Sequence, residues 1–170
     1  MTMTILRIST AAAALAAILG GCANYGSIAP GTGADQVRAR MGTPAEVWKN
    51  GDGTETWEYP TSPNGWYTYM VDLGPDHTVR DVHQVLDDPY FAKIQPGQSR
   101  DQVRRVLGAP KDIAQYRRKN EEVWSWRYKE ANNWYKLFNV AFDASSGTVL
   151  RTFRLDDPYM YDKGGRGKGG

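Results

Sequence analysis

The sequence predicts an α+β fold built from two tandem copies of one small unit, each a pair of helices followed by a three-stranded antiparallel meander. Three observations predict it: an internal repeat, a glycine-stopped helix in each copy with a capping box in the second, and aromatic runs behind it that alternate with a period of two. The repeat governs the rest, since a missed repeat miscasts the whole fold. Pro30, Gly31 and Asp35, Gln36, Val37, Arg38 return 66 residues later as Pro96, Gly97 and Asp101, Gln102, Val103, Arg104, and Gly42 and Pro44 return as Gly108 and Pro110. Trp57, Glu58, Tyr59 match Trp126, Arg127, Tyr128 at an offset of 69, and Trp66, Tyr67 match Trp134, Tyr135 at 68. Thr78, Val79 match Thr148, Val149 at 70, and Leu86 to Tyr90 match Leu155 to Tyr159 at 69. Offsets that drift by a few residues place the insertions in loops. The division that follows is 22–90 and 91–160, preceded by a leader over 1–21 and followed by a tail over 161–170, expected to be disordered, that is Gly, Lys and Arg only from Lys163 to Gly170.

In the second copy Ser99 followed by Gln102 is a capping-box pattern, so a helix starts near Arg100 and carries Val103, Val106 and Leu107 inward. Gly108 and Pro110 stop it. In the first copy Gly33 stands where the serine would, and Val37 and Met41 make a thinner apolar stripe; that helix is predicted to be the weaker. Asp88, as cap, with Pro89 at the first helical position predicts a short helix running to Ile94. Glu122 to Tyr128 alternates, setting Trp124, Trp126 and Tyr128 on one strand face and Val123, Ser125 and Arg127 on the other. Further strands are predicted over Trp134 to Asp143 and Thr148 to Leu155, with a reversal at Ser145, Ser146, Gly147. The first-copy equivalents are Glu55 to Tyr59, Trp66 to Leu73 and Thr78 to Leu86. A unit of this size buries a modest core alone, so the copies are expected to pack together, and whether their sheets join into one six-stranded sheet is left open.

Composition narrows function. Lys plus Arg number 21 against 19 for Asp plus Glu, a net of +2, too weak for a surface that must neutralise many phosphates, so no nucleic-acid partner is expected. One cysteine leaves no intrachain disulfide framework and no cysteine-based zinc site. The leader carries Arg7 and then a largely apolar run from Ile8 to Leu19, shorter than a membrane span. Leu19, Gly20, Gly21, Cys22 resembles a bacterial lipobox, which implies a signal peptide over 1–21 and acylation of Cys22. Several acyl chains hold a protein on a bilayer where one does not. Ala23, where an inner-membrane retention signal would have Asp, implies the outer membrane and a periplasm-facing chain.

Catalytic signals are poor. His77 and His83 are the only imidazoles, six residues apart, read as a turn and a strand with the same facing and with no carboxylates to complete a ligand set; no metal, cofactor or catalytic residue is predicted. Asp87, Asp88 and Asp156, Asp157 read as caps rather than calcium ligands. Arg104, Arg105, Arg117, Arg118 and Lys119 read as solvated charges, or as contacts to anionic headgroups near the anchor. The six tryptophans and ten tyrosines exceed what two small cores conceal. Tyr67, Tyr69, Trp134 and Tyr135 are the candidates for a partner-binding surface, with core packing as the equal alternative.

Ile94, Pro96, Gly97, Gln98, Ser99, Gln102, Val103, Leu107, Gly108 and Pro110, with Trp126, Tyr128 and Gly147, resemble the SmpA/OmlA (BamE-like) family of outer-membrane lipoproteins. The first copy keeps Ile28, Pro30, Gly31, Gln36, Val37, Gly42, Pro44, Trp57 and Tyr59 of the same pattern. That family carries one unit per chain, and this sequence carries two. Tandem ααβββ units are also similar in architecture to the β-lactamase inhibitor protein, a secreted binder that grips its target with an aromatic-rich sheet. The family resemblance implies a non-catalytic outer-membrane lipoprotein with a binding or scaffold role in envelope assembly, partnered by barrel-assembly components and held by outer-membrane lipid at Cys22. The architectural resemblance implies the alternative, a periplasmic inhibitor of a secreted enzyme such as a hydrolase.

Overall fold

The computed structural model describes residues 28–62, 64–130 and 134–158; the leader with Cys22 and the tail at 161–170 lie outside the described residues. The chain runs α1 (Ala34–Met41), β1 (Glu46–Lys49), β2 (Glu55–Pro60), β3 (Thr68–Leu73), β4 (Val79–Gln84), α2 (Asp88–Phe91), α3 (Arg100–Leu107), β5 (Asp112–Tyr116), β6 (Glu121–Lys129), β7 (Tyr135–Asp143) and β8 (Val149–Asp156). Two separate antiparallel sheets result, ordered β1-β2-β3-β4 and β5-β6-β7-β8. The fold is α+β as predicted, but each sheet has four strands rather than three, and the two do not join. The overlooked strands are β1 and β5, both sheet edges whose residues are exposed or only half-buried. Neither has a buried face, so neither alternates; only their pairing to β2 and β6 reveals them.

Each helix is set against its own sheet by the same bonds. Gly31 donates its N–H to Val79 O, and Val79 donates to Thr32 O, each at 2.8 Å; Gly97 and Val149 repeat this with Val149 O and Gln98 O at 2.9 and 2.8 Å. Isolated bridges from Gly33 to Thr78 and from Ser99 to Thr148 complete the junctions. α3 has the full capping box, with Gln102 N–H on Ser99 Oγ at 3.2 Å and Ser99 N–H on Gln102 Oε1 at 2.8 Å. α1 starts at Gly33 with no side-chain cap. Both helices end on a glycine with φ of 84° (Gly42) or 74° (Gly108), a left-handed conformation that closes the last turn and that other residues rarely adopt.

α2 departs from expectation. Its N-cap is Asp87, without a side-chain cap bond, and Asp88 lies inside the helix, where its carboxylate accepts from Arg154 at 2.5 Å. Asp157, directly before the helical residue Pro158, is 2% exposed and pairs with the guanidinium of Arg127, itself 6% exposed on the strand face expected to be polar. β6 is thus largely buried on both faces, with Trp124, Trp126 and Tyr128 towards α3 and Val123 and Arg127 behind.

The structure also moves the repeat register. Tyr59 Oη donates to Gly42 O at 3.2 Å, and the equivalent bond on Gly108 O, at 3.1 Å, comes from Trp126 Nε1. Trp57 Nε1 donates to Glu55, and Trp124 Nε1 donates to Glu122. Trp57 pairs with Val71 and Trp124 with Val140, each the same distance from a bulge, at Asp72/Leu73 and Ala141/Phe142. The counterpart of Trp57 is therefore Trp124, at an offset of 67, not Trp126. Trp124, Trp126 and Tyr128 offer two overlapping aromatic pairs, and a two-residue slip keeps every side chain on its face.

Two core clusters form. One holds Val37, Met41, Trp57, Tyr59, Val71, Leu73 and Val79 between α1 and the first sheet. The other holds Val103, Leu107, Trp124, Trp126, Phe138, Val140 and Phe142, and it also takes in Met70 of β3, from the opposite face of the first sheet. α3 touches both sheets. The seam is anchored by Glu58, fully buried, whose Oε1 accepts the Ala109 N–H at 2.6 Å and whose Oε2 lies 3.4 Å from Arg104 Nη2. Arg104, expected to be solvated, instead bridges Glu58 and, at 3.9 Å, Glu46, the residue paired with Glu58 across β1 and β2. A Cβ on Gly108 would stand 2.8 Å from Glu58 Oε1 and 2.8 Å from Thr68 Cγ2, so the seam closes only over glycine.

Candidate functional site

The predicted aromatic residues sit on two connections, between β2 and β3 and between β6 and β7. Thr61 shapes the first: its Oγ1 accepts the Tyr67 N–H at 3.0 Å, and its carbonyl accepts the Gly65 N–H at 2.8 Å. This projects Tyr67, 36% exposed, beside Tyr69, with ring centroids 6.1 Å apart. On the second connection Trp134 is 56% exposed and Tyr135 is half-buried at the start of β7. The two connections meet where Trp66 packs against Tyr135 in a tilted pair, centroids 4.9 Å apart at 44°, and Lys129 Nζ lies 5.9 Å from the Tyr135 ring centroid. Of the four candidates, Tyr67 and Trp134 face solvent, whereas Tyr69 packs partly on the first core cluster and Tyr135 on Trp66. Trp66 joins the patch across the two halves. Its pairing with Trp134 in the repeat was the signal that could have marked it.

The histidines do not share a strand face. His77 lies in the turn before β4 with φ 56°, its carbonyl accepting the Ala34 N–H at 2.9 Å. Asp76 shapes that turn by accepting from Thr78 Oγ1 at 3.0 Å and from the Thr78 N–H, bonds that lower its carboxyl below the ordinary aspartate value. His83 lies on β4 and, contrary to expectation, is met by carboxylates. Its Nδ1 is 3.2 Å from Asp81 Oδ2 and 3.7 Å from Asp72 Oδ2, and its ring stacks on Tyr90 with centroids 5.4 Å apart at 3°. Asp72, His83 and Tyr90 open on a cleft of about 210 Å³ at the seam, which Lys93 and Arg105 also line. Burial, and then the charges of Asp87, Asp81 and Asp72, raise the Tyr90 phenol above its ordinary value. Sequence spacing hid this group because Asp72 belongs to the neighbouring strand, and only the pairing of β3 with β4 places it opposite Asp81.

What the molecule presents is a layered α+β scaffold with an aromatic patch at one set of connections and a polar cleft at its seam. Among the described residues, no helix is long and apolar enough to cross a membrane. No family model and no curated protein matches the chain. Among solved structures, one described as an osmotically inducible lipoprotein, OsmE, is 22% identical, with a TM-score of 0.37, covering 49% of this chain and 90% of that one. A structure from Streptococcus mutans described as a β-lactamase inhibitor protein is 12% identical, with a TM-score of 0.31, covering 78% of this chain and 88% of that one. An extracellular protein containing an SCP domain from Bacillus anthracis strain Ames is 10% identical, with a TM-score of 0.30, covering 92% and 52%. The architecture described above rests on this chain's own strand pairing.

Proposed function

We propose that this chain is a non-catalytic lipoprotein of the bacterial outer membrane, built from two BamE-like units, that faces the periplasm and holds an envelope protein partner on its aromatic patch. The observation that carries the reading is the convergence of two connections, one from each half, on Trp66 and Tyr135, with Tyr67 and Trp134 left exposed beside them. Exposed rings with polar tips, set on loops braced by a rigid sheet, are what protein recognition uses for anchors. The lipobox pattern Leu19, Gly20, Gly21, Cys22 supports the anchor, and a partner in barrel assembly follows the sequence resemblance.

Two measurements test it. Palmitate labelling of cells is expected to mark the protein and to vanish in Cys22→Ser. A photo-reactive residue at position 134 is expected to cross-link an outer-membrane assembly subunit, and the double variant Tyr67→Ala with Trp134→Ala is expected to lose the adduct at an unchanged melting temperature. Recovery of one soluble secreted enzyme as the partner would instead assign the inhibitor role, and unfolding of the double variant would assign these rings to packing.

A further inference from the structure

Asp72 and Asp81 are directly opposed across β3 and β4. Like charges in that position repel, and a sheet keeps such a pair only with a compensating charge. Among the described residues no Lys or Arg comes within ion-pair distance of either carboxylate; the group they share is the His83 imidazole, two residues along β4 on the same face. Lys93, which lines the same cleft, is placed over the Tyr90 ring, with Nζ 4.0 Å from the centroid. The opposed carboxylates therefore converge on an imidazole nitrogen rather than on a Lys or Arg.

Each of the three groups is held from behind. Asp72 Oδ1 accepts from Thr56 Oγ1 at 2.7 Å, leaving Oδ2 towards His83. Asp81 Oδ1 accepts the Val82 N–H at 2.9 Å, leaving its own Oδ2 free for the same point. The His83 ring is fixed by its stack on Tyr90. One oxygen of each carboxylate and one imidazole nitrogen lie within 4.8 Å of one another. Ligands about 2.0–2.2 Å from a tetrahedral zinc stand about 3.3–3.6 Å apart; the two nitrogen–oxygen separations, 3.2 and 3.7 Å, bracket that spacing, and the oxygen–oxygen separation is within 4.8 Å. The outer bonds to Thr56 and Val82 are the kind that orient ligating carboxylates. An imidazole with two carboxylates suits a first-row divalent ion better than calcium or magnesium, which take oxygen ligands alone.

We propose that Asp72, Asp81 and His83 form a site for one divalent transition-metal ion of the zinc class, opening on the cleft between the two halves. Asp72 and His83 line that cleft. Because His83 stacks on Tyr90 of α2, the ion also ties β3 and β4 to the segment that joins the halves.

The test is zinc titration of the detergent-solubilised full chain against a chromogenic chelator, with the imidazole proton resonances followed in parallel. One equivalent is expected to bind, shifting the resonances of His83 and leaving those of His77 in place. Binding is expected to weaken at least tenfold in His83→Gln and in Asp72→Asn, and to be unchanged in His77→Gln and Cys22→Ser. Cobalt is expected to give a visible absorption band with the unaltered chain, so the result does not depend on a variant folding. No binding at millimolar zinc, binding lost with Cys22→Ser, a response of His77 in place of His83, or equal displacement by magnesium would each overturn the site.

Discussion

Glu58 places a carboxyl group where no solvent reaches, and the surrounding residues explain why it is tolerated. Its two oxygens are taken by the Ala109 N–H and the Arg104 guanidinium, both from the second half. A buried carboxylate so paired adds little over an apolar replacement, but removing one partner leaves the others stranded. Glu58→Ala is expected to lower stability by about 2–3 kcal/mol, the worth of hydrogen bonds to a charged group together with an unsatisfied buried N–H; denaturant unfolding measures it. Tyr128 gives a second residue-scale prediction. Burial, above all, pushes its phenol up to about 12 from an unfolded value of 10.0. The folded state then holds a proton that the unfolded state releases, so stability is fully present below pH 10 and is lost as pH rises through that window. Tyr128→Phe is expected to make the alkaline fall in melting temperature shallower, while leaving the acid limb unchanged.

At the scale of elements, the two helices are a matched pair differing at one cap. α3 has both bonds of the capping box, and α1 has the glutamine, Gln36, but Gly33 in place of the serine. A Cβ on Gly33 meets nothing within 4 Å, and its φ of −71° suits any residue. Gly33→Ser is expected to stabilise the protein by about 0.5 kcal/mol, and Ser99→Ala to destabilise it by about 1 kcal/mol. Thermal melts of both variants check the pair together, since a cap effect predicts opposite signs. The strands show the limit of the same comparison. Period-two alternation places Trp57 and Trp124 on their helix-facing sides, but it is indifferent to the two-residue slip that pairing resolves. At an offset of 67 the 6-residue β2 matches 122–127, so the 9-residue β6 exceeds it by Glu121 at one end and by Tyr128 and Lys129 at the other.

At the scale of the whole molecule, the two halves share a core and so should share one transition. Met70 is 1% exposed and belongs to the cluster built around α3 and the second sheet, although β3 lies in the first. Met70→Ala is expected to cost about 2–4 kcal/mol, from lost transfer and the cavity left behind, and to shift a single cooperative transition rather than split it. Calorimetry with fluorescence and far-UV dichroism as separate probes tests this; two resolved transitions would show that the halves unfold independently. The back of the first sheet is covered because α3 turns Arg104, Arg105 and Val106 towards it while burying Val103 and Leu107 in its own sheet.

The amino-acid order by itself determined the α+β class, the capping box at Ser99, the glycine stops at Gly42 and Gly108, and the aromatic faces of the interior strands. All of these are local: each depends on residues a few positions apart and on the periods of 3.6 and 2. Tertiary structure decided the edge strands β1 and β5, the two-residue register of the repeat, the burial of Glu58 and Arg127, and the meeting of Trp66 with Tyr135 and of Asp72 with Asp81 and His83. Those depend on which segments lie side by side after the chain has collapsed. No propensity or period encodes that, because the free energy that selects it comes from surfaces brought together across distant parts of the sequence.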